Sequence, residues 1–296
     1  MKVSSTTEGF SILYDEKTAV QMLIDAGYDA IDLGCFEMHK EDDCPKLQPN
    51  YKEYAAELRA MAEAGGVYFN QAHAPFPSSV AEDDLQNQRI FDRILRSIEF
   101  ASLVGVRNIV VHPKQHMKYT DNTAYLKELN LEFYRSLIPY AKDYNIHIAL
   151  ENMWQYNADG MISHSTCSRV EEFKEYLDLL DSEWTVACLD IGHAHLMHAD
   201  IPAFIHGLGD KLQALHTHAT GYNRDFHLPP YTFGNLPWED ILKALGEIDY
   251  QGELTFEADS AIMRTPKELH ADLARYMVAI GRHMAGRVEH YRKENI

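Results

Sequence analysis

The feature that most restricts what this chain can fold into is a strict alternation. Eight short apolar segments, at residues 3–5, 30–36, 67–72, 108–112, 147–151, 186–190, 212–216 and 253–257, alternate with stretches of helical periodicity at 18–26, 51–64, 83–103, 123–144, 170–180, 201–208, 238–246 and 266–290. Gly27, Gly65 and Gly105 stand where three of the helices should end. Regular alternation of this kind predicts parallel strands joined by helical crossovers, and eight repeats predict closure into a (β/α)8 TIM barrel of the α/β class. An open doubly wound sheet is the competing arrangement, but no GxGxxG or GxxxxGKS/T loop follows an early strand. Nothing in the composition marks a linker, so residues 1–296 are read as one barrel domain.

A barrel draws its reactive groups from the C-terminal ends of its strands and the loops just beyond. Six of the eight segments end that way here. The third runs into QAHAPF with His73, the fourth into VVHPK with His112, and the fifth closes as ALEN on Glu151. The sixth ends in CLDIGHAH with Asp190 and His193, and the eighth in TFEAD with Glu257. The seventh opens LHTHATGYNRDFHLPP, which gathers His216, His218, Asp225 and His227. Burying isolated ionisable groups costs several kcal/mol each unless they are paired or bound to a metal, so this convergence calls for a shared partner. Imidazole nitrogens and carboxylate oxygens suit zinc and other first-row divalent ions, and a metal centre is the expectation.

Taken singly, each of these residues has an ordinary role. A lone histidine after an apolar run is usually a hydrogen-bonded core or rim residue, and Glu151 or Glu257 would suit a helix N-terminus. Trp154, Tyr156, Tyr222 and Trp238 are candidates for an aromatic wall against a sugar, although packing would also use them. Lys114 and Arg224 are read as solvated charge, with a phosphate or carboxylate contact as the alternative, and His195, His198 and His206 as surface or loop residues.

Net charge narrows the partners. The formal value of −18 repels nucleic acid and anionic membrane alike unless basic residues gather on one face, whereas a small neutral substrate fits it. Cys35, Cys44, Cys167 and Cys188 show no CxxC spacing, and four thiols in 296 residues do not build a disulfide framework. With no signal-peptide pattern in MKVSSTTEGF and no long apolar run, the expected location is the cytoplasm.

ALEN, LDIGHAH, LHTHATGYNRDFHLPP with the GNLPW that follows, and FEAD together resemble the xylose isomerase-like barrel superfamily. That group includes sugar-phosphate isomerases and epimerases, ketose 3-epimerases and apurinic endonucleases of the endonuclease IV type (AP endonuclease family 2). The likeness runs from the third strand to the eighth, and its most specific piece is the spacing of His216, Asp225 and His227 before the proline pair. In the epimerase branch the resemblance implies one divalent ion on Glu151, Asp190, His216 and Glu257. In the endonuclease branch it implies three zinc ions, with His73, His112, His193, Asp225 and His227 as the additional ligands. All of these positions are filled here, while Ala219 and Tyr222 stand where many ketose epimerases carry an acidic residue and an arginine.

Two activities follow from this resemblance. The first is a metal-dependent isomerase or epimerase of a small sugar, sugar phosphate or related derivative. Glu151 and Glu257 would transfer the proton through a metal-stabilised enediolate, and His193 would hold a substrate oxygen or tune a ligand. The alternative is a multi-zinc phosphoester hydrolase, for which a DNA substrate needs a basic surface, whereas HKEDDCPK and PFPSSVAEDD after the second and third strands are acid-rich. The expected cofactor is a divalent Zn, Mn, Mg or Co ion, with zinc favoured if the whole histidine-rich set is engaged. A homo-oligomer is compatible with either activity.

Overall fold

The structure, a computed structural model, describes residues 1–40 and 42–294. Eight strands carry it: β1 (Val3–Thr6), β2 (Ala30–Gly34), β3 (Tyr68–His73), β4 (Asn108–Val110), β5 (His147–Glu151), β6 (Thr185–Asp190), β7 (Leu212–His216) and β8 (Leu254–Phe256). They form one sheet of consecutive parallel neighbours, with β8 paired to β1 on the far side. Between β7 and β8 the ladder shrinks to a bridge at Thr217 and Phe256, where Thr217 N–H donates to Thr255 O at 2.8 Å. The barrel is therefore nearly closed, with a seam beside the last two strands.

Each crossover carries a helix where the periodicity predicts one. The outer ring comprises Glu16–Ala26, Tyr51–Ala64, Asp84–Val104, Tyr119–Tyr144, Val170–Leu180, Ile201–Leu208, Trp238–Glu247 and His270–Glu294. Gly27 and Gly105 end their helices at φ +94° and +93°, the left-handed conformation that glycine adopts without steric cost. After Tyr51–Ala64 that role passes to Gly66, at φ +73°, and Gly65 stays right-handed. The helix expected from residue 123 starts earlier, at Tyr119, across a non-helical Asn122. The one expected from 266 starts later, at His270, because Lys267–Leu269 forms a 3-10 turn first.

Four short helices, Glu8–Leu13, Glu37–Lys40, Ile191–Leu196 and Asp259–Arg264, lie just beyond β1, β2, β6 and β8 and were not anticipated. Neither was the antiparallel hairpin of Trp154–Tyr156 with Ile162–His164 beyond β5. Segments of three to six residues are too short for periodicity to register.

The main core fills the layer between barrel and helices, with Phe10, Leu23, Ile98, Tyr134, Phe173, Phe204 and Met277 fully or almost fully buried. A smaller apolar group of Val110, Ala149, Val186, Cys188 and Ala214 comes from β4 to β7. On the β1, β2, β3 and β8 side the buried set is polar, comprising Ser4, Asp32, Asn70, Gln71 and Thr255. A hydrophobic site floor on one side thus faces a hydrogen-bonded one on the other.

Candidate metal centre and active site

The strand ends deliver their ionisable groups to one place. His73, Glu151, Asp190 and His216 are the last residues of β3, β5, β6 and β7; Glu257 follows β8 by one position and His112 follows β4 by two. Parallel strands in a barrel all present their C-terminal ends to the same mouth, so residues dozens of positions apart meet there. His216 Nδ1 lies 3.2 Å from Glu151 Oε1, 3.4 Å from Glu257 Oε2 and 3.8 Å from Asp190 Oδ2. On the other side of Glu151, Oε2 stands 2.8 Å from His112 Nε2 and 3.5 Å from His73 Nε2, yet has no aligned hydrogen-bond donor. Phe36 packs on His73 and Phe76 on His112, with ring centroids 4.4 and 5.0 Å apart, and they wall this side in apolar surface.

A second group forms over the first. Asp225 Oδ2 accepts from His227 Nε2 at 2.9 Å and His193 Nε2 at 3.1 Å. His193 reaches it from the short helix Ile191–Leu196, whose first turn is capped by Asp190 accepting His193 N–H at 2.6 Å. Asn152 fixes the ends of β5 and β6 together, accepting from Asp190 N–H at 2.7 Å and donating to Asp190 O at 2.9 Å. His227 Nδ1 faces Asp259 Oδ1 at 3.3 Å and Glu257 Oε2 at 3.6 Å.

Charge and burial oppose one another throughout. Burial alone would raise the Glu151 carboxyl, but His112 and His216 beside it hold it well below the usual carboxylate range. At Glu257 burial wins over His216 and His227 and the carboxyl is raised. Burial takes His112 down to about 4, whereas Asp190, Asp225 and Glu151 outweigh burial at His193 and push it up to about 10. His216 and His227 also end well above the ordinary histidine value, burial being overcome by the carboxylates around them.

The donor set fits divalent ions. Among the described residues five groupings each bring their ligand atoms within 4.8 Å of one another: His73 with His112 and Glu151, Glu151 with Asp190 and His216, His73 with His216 and Glu257, His218 with His227 and Glu257, and His193 with Asp225 and His227. Glu151 Oε2, His216 Nε2, His218 Nδ1, Asp225 Oδ1 and Asp259 Oδ1 are buried without a hydrogen-bond partner. Buried polar atoms are nearly always satisfied, so orphaned atoms in this cluster fit a site that a cation would complete, with Glu151 Oε2 and Asp225 Oδ1 free to meet it.

Of the other candidates, Trp154 stands edge-on to His193 with ring centroids 6.3 Å apart, and Tyr156 packs edge-on to Trp154. Trp238 is buried and packs against Tyr231 at 5.8 Å, which makes it a packing residue. Tyr222 stacks with His195 and His198 at 4.3 and 4.5 Å and borders a cavity of about 260 Å³ with the hairpin. His195, expected at the surface or in a loop, is buried in the helix that carries His193; His206 is exposed and pairs with Glu247 at 2.9 Å. Lys114 lies over Phe133 and Arg224 over Phe226.

Two residues close to the centre, Asp259 and Asp32, did not enter the ligand set read from the sequence, and His218, one of the four potential ligands read in the loop, is outside the set that the family resemblance implies. His218 Nε2 contacts both Asp190 oxygens at 3.1 Å, and its ring stacks on His227 at 4.2 Å and 6°. Asp259 follows Glu257 in the FEAD motif, and Asp32 lies buried in β2, 3.8 Å from His216 Nε2. His218 and Asp259 lay in quoted motifs. Asp32 lacked any signal, since one acidic residue inside AIDLG reads as an interruption of an apolar run.

The family model for the xylose isomerase-like TIM barrel matches residues 20–280. Among sequence relatives, the uncharacterized protein MJ1311 of Methanocaldococcus jannaschii is 28% identical over 251 residues, covering 81% of this chain and 78% of that one. The uncharacterized protein y4fM of Sinorhizobium fredii is 25% identical over 200 residues; the match covers 67% of this chain but only 61% of that relative. Among solved structures, a D-tagatose 3-epimerase-like protein superposes with a TM-score of 0.72 at 21% identity over 96% of this chain and 100% of its own. A D-psicose 3-epimerase studied with D-fructose gives 0.73 at 17% over 97% and 100%. The 3-keto-D-glucoside 4-epimerase of E. coli gives 0.70 at 17% over 96% and 99%.

Proposed function

The chain belongs to the xylose isomerase-like TIM barrel family, and from that premise we propose that it is a divalent-metal-dependent isomerase or epimerase of a small sugar or sugar derivative. The observation that carries this reading is the convergence of Glu151 and Glu257 on His216 Nδ1, at 3.2 and 3.4 Å, beside Asp190. Glu151, Asp190, His216 and Glu257 would hold the ion, which when bound would polarise neighbouring carbonyl and hydroxyl oxygens of the sugar. Glu151 and Glu257 come from strands that are not neighbours in the barrel, so they can address a substrate carbon from two directions. One removes its proton and the other returns a proton, which is what inversion of a stereocentre requires. His193 would hold a substrate oxygen, and Trp154 would shield that side from water. Structural neighbours named as sugar 3-epimerases and a 4-epimerase support the same chemistry.

His73, His112, His193, Asp225 and His227 would allow further ions, and that observation keeps a multi-zinc phosphoester hydrolase as the second reading. The named neighbours and the net charge of −18 weigh against it, and against a nucleic-acid substrate in particular. We place the enzyme in the cytoplasm: all four cysteines are free and buried, and no helix among the described residues is long and apolar enough to cross a membrane. We take the barrel of the described residues as its catalytic unit.

The test combines elemental analysis of the purified protein with a panel of ketoses, aldoses, keto-glycosides and sugar phosphates incubated in D2O. The expected outcome is a bound divalent ion, and product epimer carrying solvent deuterium at the inverted carbon. Two or three zinc ions per chain with phosphoester cleavage and no deuterium uptake would reverse the order of the two readings.

A further inference from the structure

We propose that Asp32 is a positioning residue for His216: its carboxylate accepts a hydrogen bond from the Nε2–H of that imidazole, holding the proton there, and so leaves the Nδ1 lone pair directed at the point shared by Glu151, Asp190 and Glu257. The inference rests on the metal-centre reading above, and extends it to a residue outside the ligand set.

The local fold shows how Asp32 comes to lie there. The register between β2 and β3 shifts after Ile31, which passes over Asn70 and sets Asp32 opposite Gln71. Gln71 then acts as a clamp. Its Nε2 donates to Asp32 Oδ2 at 3.2 Å and to Leu215 O at 3.3 Å, and its Oε1 accepts from Thr255 Oγ1 at 3.3 Å. One amide therefore ties β2 and β8 to the residue that precedes His216 on β7.

Asp32 and His216 are both almost completely buried, and each keeps an atom without a hydrogen-bond partner: Asp32 Oδ1 and His216 Nε2. Asp32 Oδ2 lies 3.8 Å from that nitrogen. A purely structural role explains this poorly. Gln71 satisfies one of the carboxylate's roughly four acceptor positions, and an apolar side chain would fill the space without the cost of a buried charge.

The chemistry of imidazole supplies a reason. A neutral ring carries one N–H, and a ring that ligates through Nδ1 must carry it on Nε2. The side chain facing Nε2 here is a carboxylate, which can only accept. A change of roughly 1 Å in the present separation would bring the pair to ordinary hydrogen-bond length. A carboxylate behind a ligating histidine fixes its tautomer and ring orientation and raises its basicity.

The experiment compares the wild type with Asp32→Asn, which keeps an acceptor for Gln71 but can turn an N–H toward His216. Dissociation constants for Zn²⁺ and Co²⁺ are measured by competition with a chromophoric chelator. Imidazole tautomers are read by ¹⁵N–¹H NMR in the zinc-loaded protein. The expected result is affinity weakened about 10- to 100-fold in Asp32→Asn, with the wild-type His216 carrying its proton on Nε2. Equal affinity in the two proteins, or a wild-type His216 bound through Nε2, would overturn the proposal. If Asp32→Asn does not fold, the wild-type tautomer decides. If the wild type takes up neither ion, the metal reading itself fails and the proposal falls with it, an outcome distinct from equal affinity.

Discussion

Gly192 sits in the DIGH stretch between Asp190 and His193, and its missing side chain is what admits His218. A Cβ there would lie 2.0 Å from His218 Cε1, well inside any tolerated contact. His218 in turn spans both oxygens of Asp190, so a methyl group at 192 would act on a candidate ligand through an intervening ring. Gly192→Ala should destabilise the protein by about 1–3 kcal/mol and weaken divalent-ion binding as well; denaturant melts and metal titration measure the two effects separately. The paired glutamates call for a different outcome. Glu151→Gln and Glu257→Gln remove proton transfer while keeping side-chain shape, and each should lower kcat about 10²- to 10⁴-fold with a cooperative melt retained. Near-normal turnover in both would eliminate the two-carboxylate mechanism.

At the level of elements, the loops after β1 and β2 are held by a buried lysine. Lys46, in the 3-10 turn Pro45–Leu47, pairs with Glu16 at 2.6 Å and with Glu37, which joins the helices Glu16–Ala26 and Glu37–Lys40. Removing one partner from a buried ionic group leaves the others uncompensated, so Lys46→Ala should cost about 3–5 kcal/mol by urea denaturation. The helix Glu16–Ala26 has its own start signal in Asp15, whose side chain accepts from Thr18 N–H at 2.9 Å and Thr18 Oγ1 at 2.7 Å. Those bonds hold the Asp15 carboxyl below its ordinary value. Its contribution is therefore present above the unfolded pKa of about 3.9 and is lost as pH falls through the lower folded one. Asp15→Ala should cost about 1 kcal/mol at pH 7, and the gap from wild type should close as melts are taken below pH 4. Glu16–Ala26 was readable from residue 18 because its apolar spacing and terminal Gly27 agree, while the Asp15 cap that starts it two residues earlier was not part of that pattern. The hairpin beyond β5 was not readable, since its three-residue strands carry no pattern of their own and are held by pairing across the turn.

Over the whole molecule, the barrel mouth concentrates carboxylates and imidazoles of which several atoms are buried without a hydrogen-bond partner. A bound ion would stabilise the folded chain, by about 2.7 kcal/mol at a free concentration of 100 Kd. Removing it with a chelator should lower the melting temperature by roughly 4 °C for a chain of this size, with recovery on adding the metal back. An unchanged melt would contradict a resident ion. The alternation of apolar and helical segments by itself determined the eight-fold repeat, and with it which residues stand at strand ends, because hydrophobic periodicity is a local property of the chain. Tertiary structure alone decided the seam between β7 and β8, the stacking of His218 on His227, and the approach of Asp32 to His216 from 184 positions away in sequence. Those separations are set by strand register and barrel closure, which sum contacts from the entire sheet and leave no imprint on the spacing of neighbouring residues.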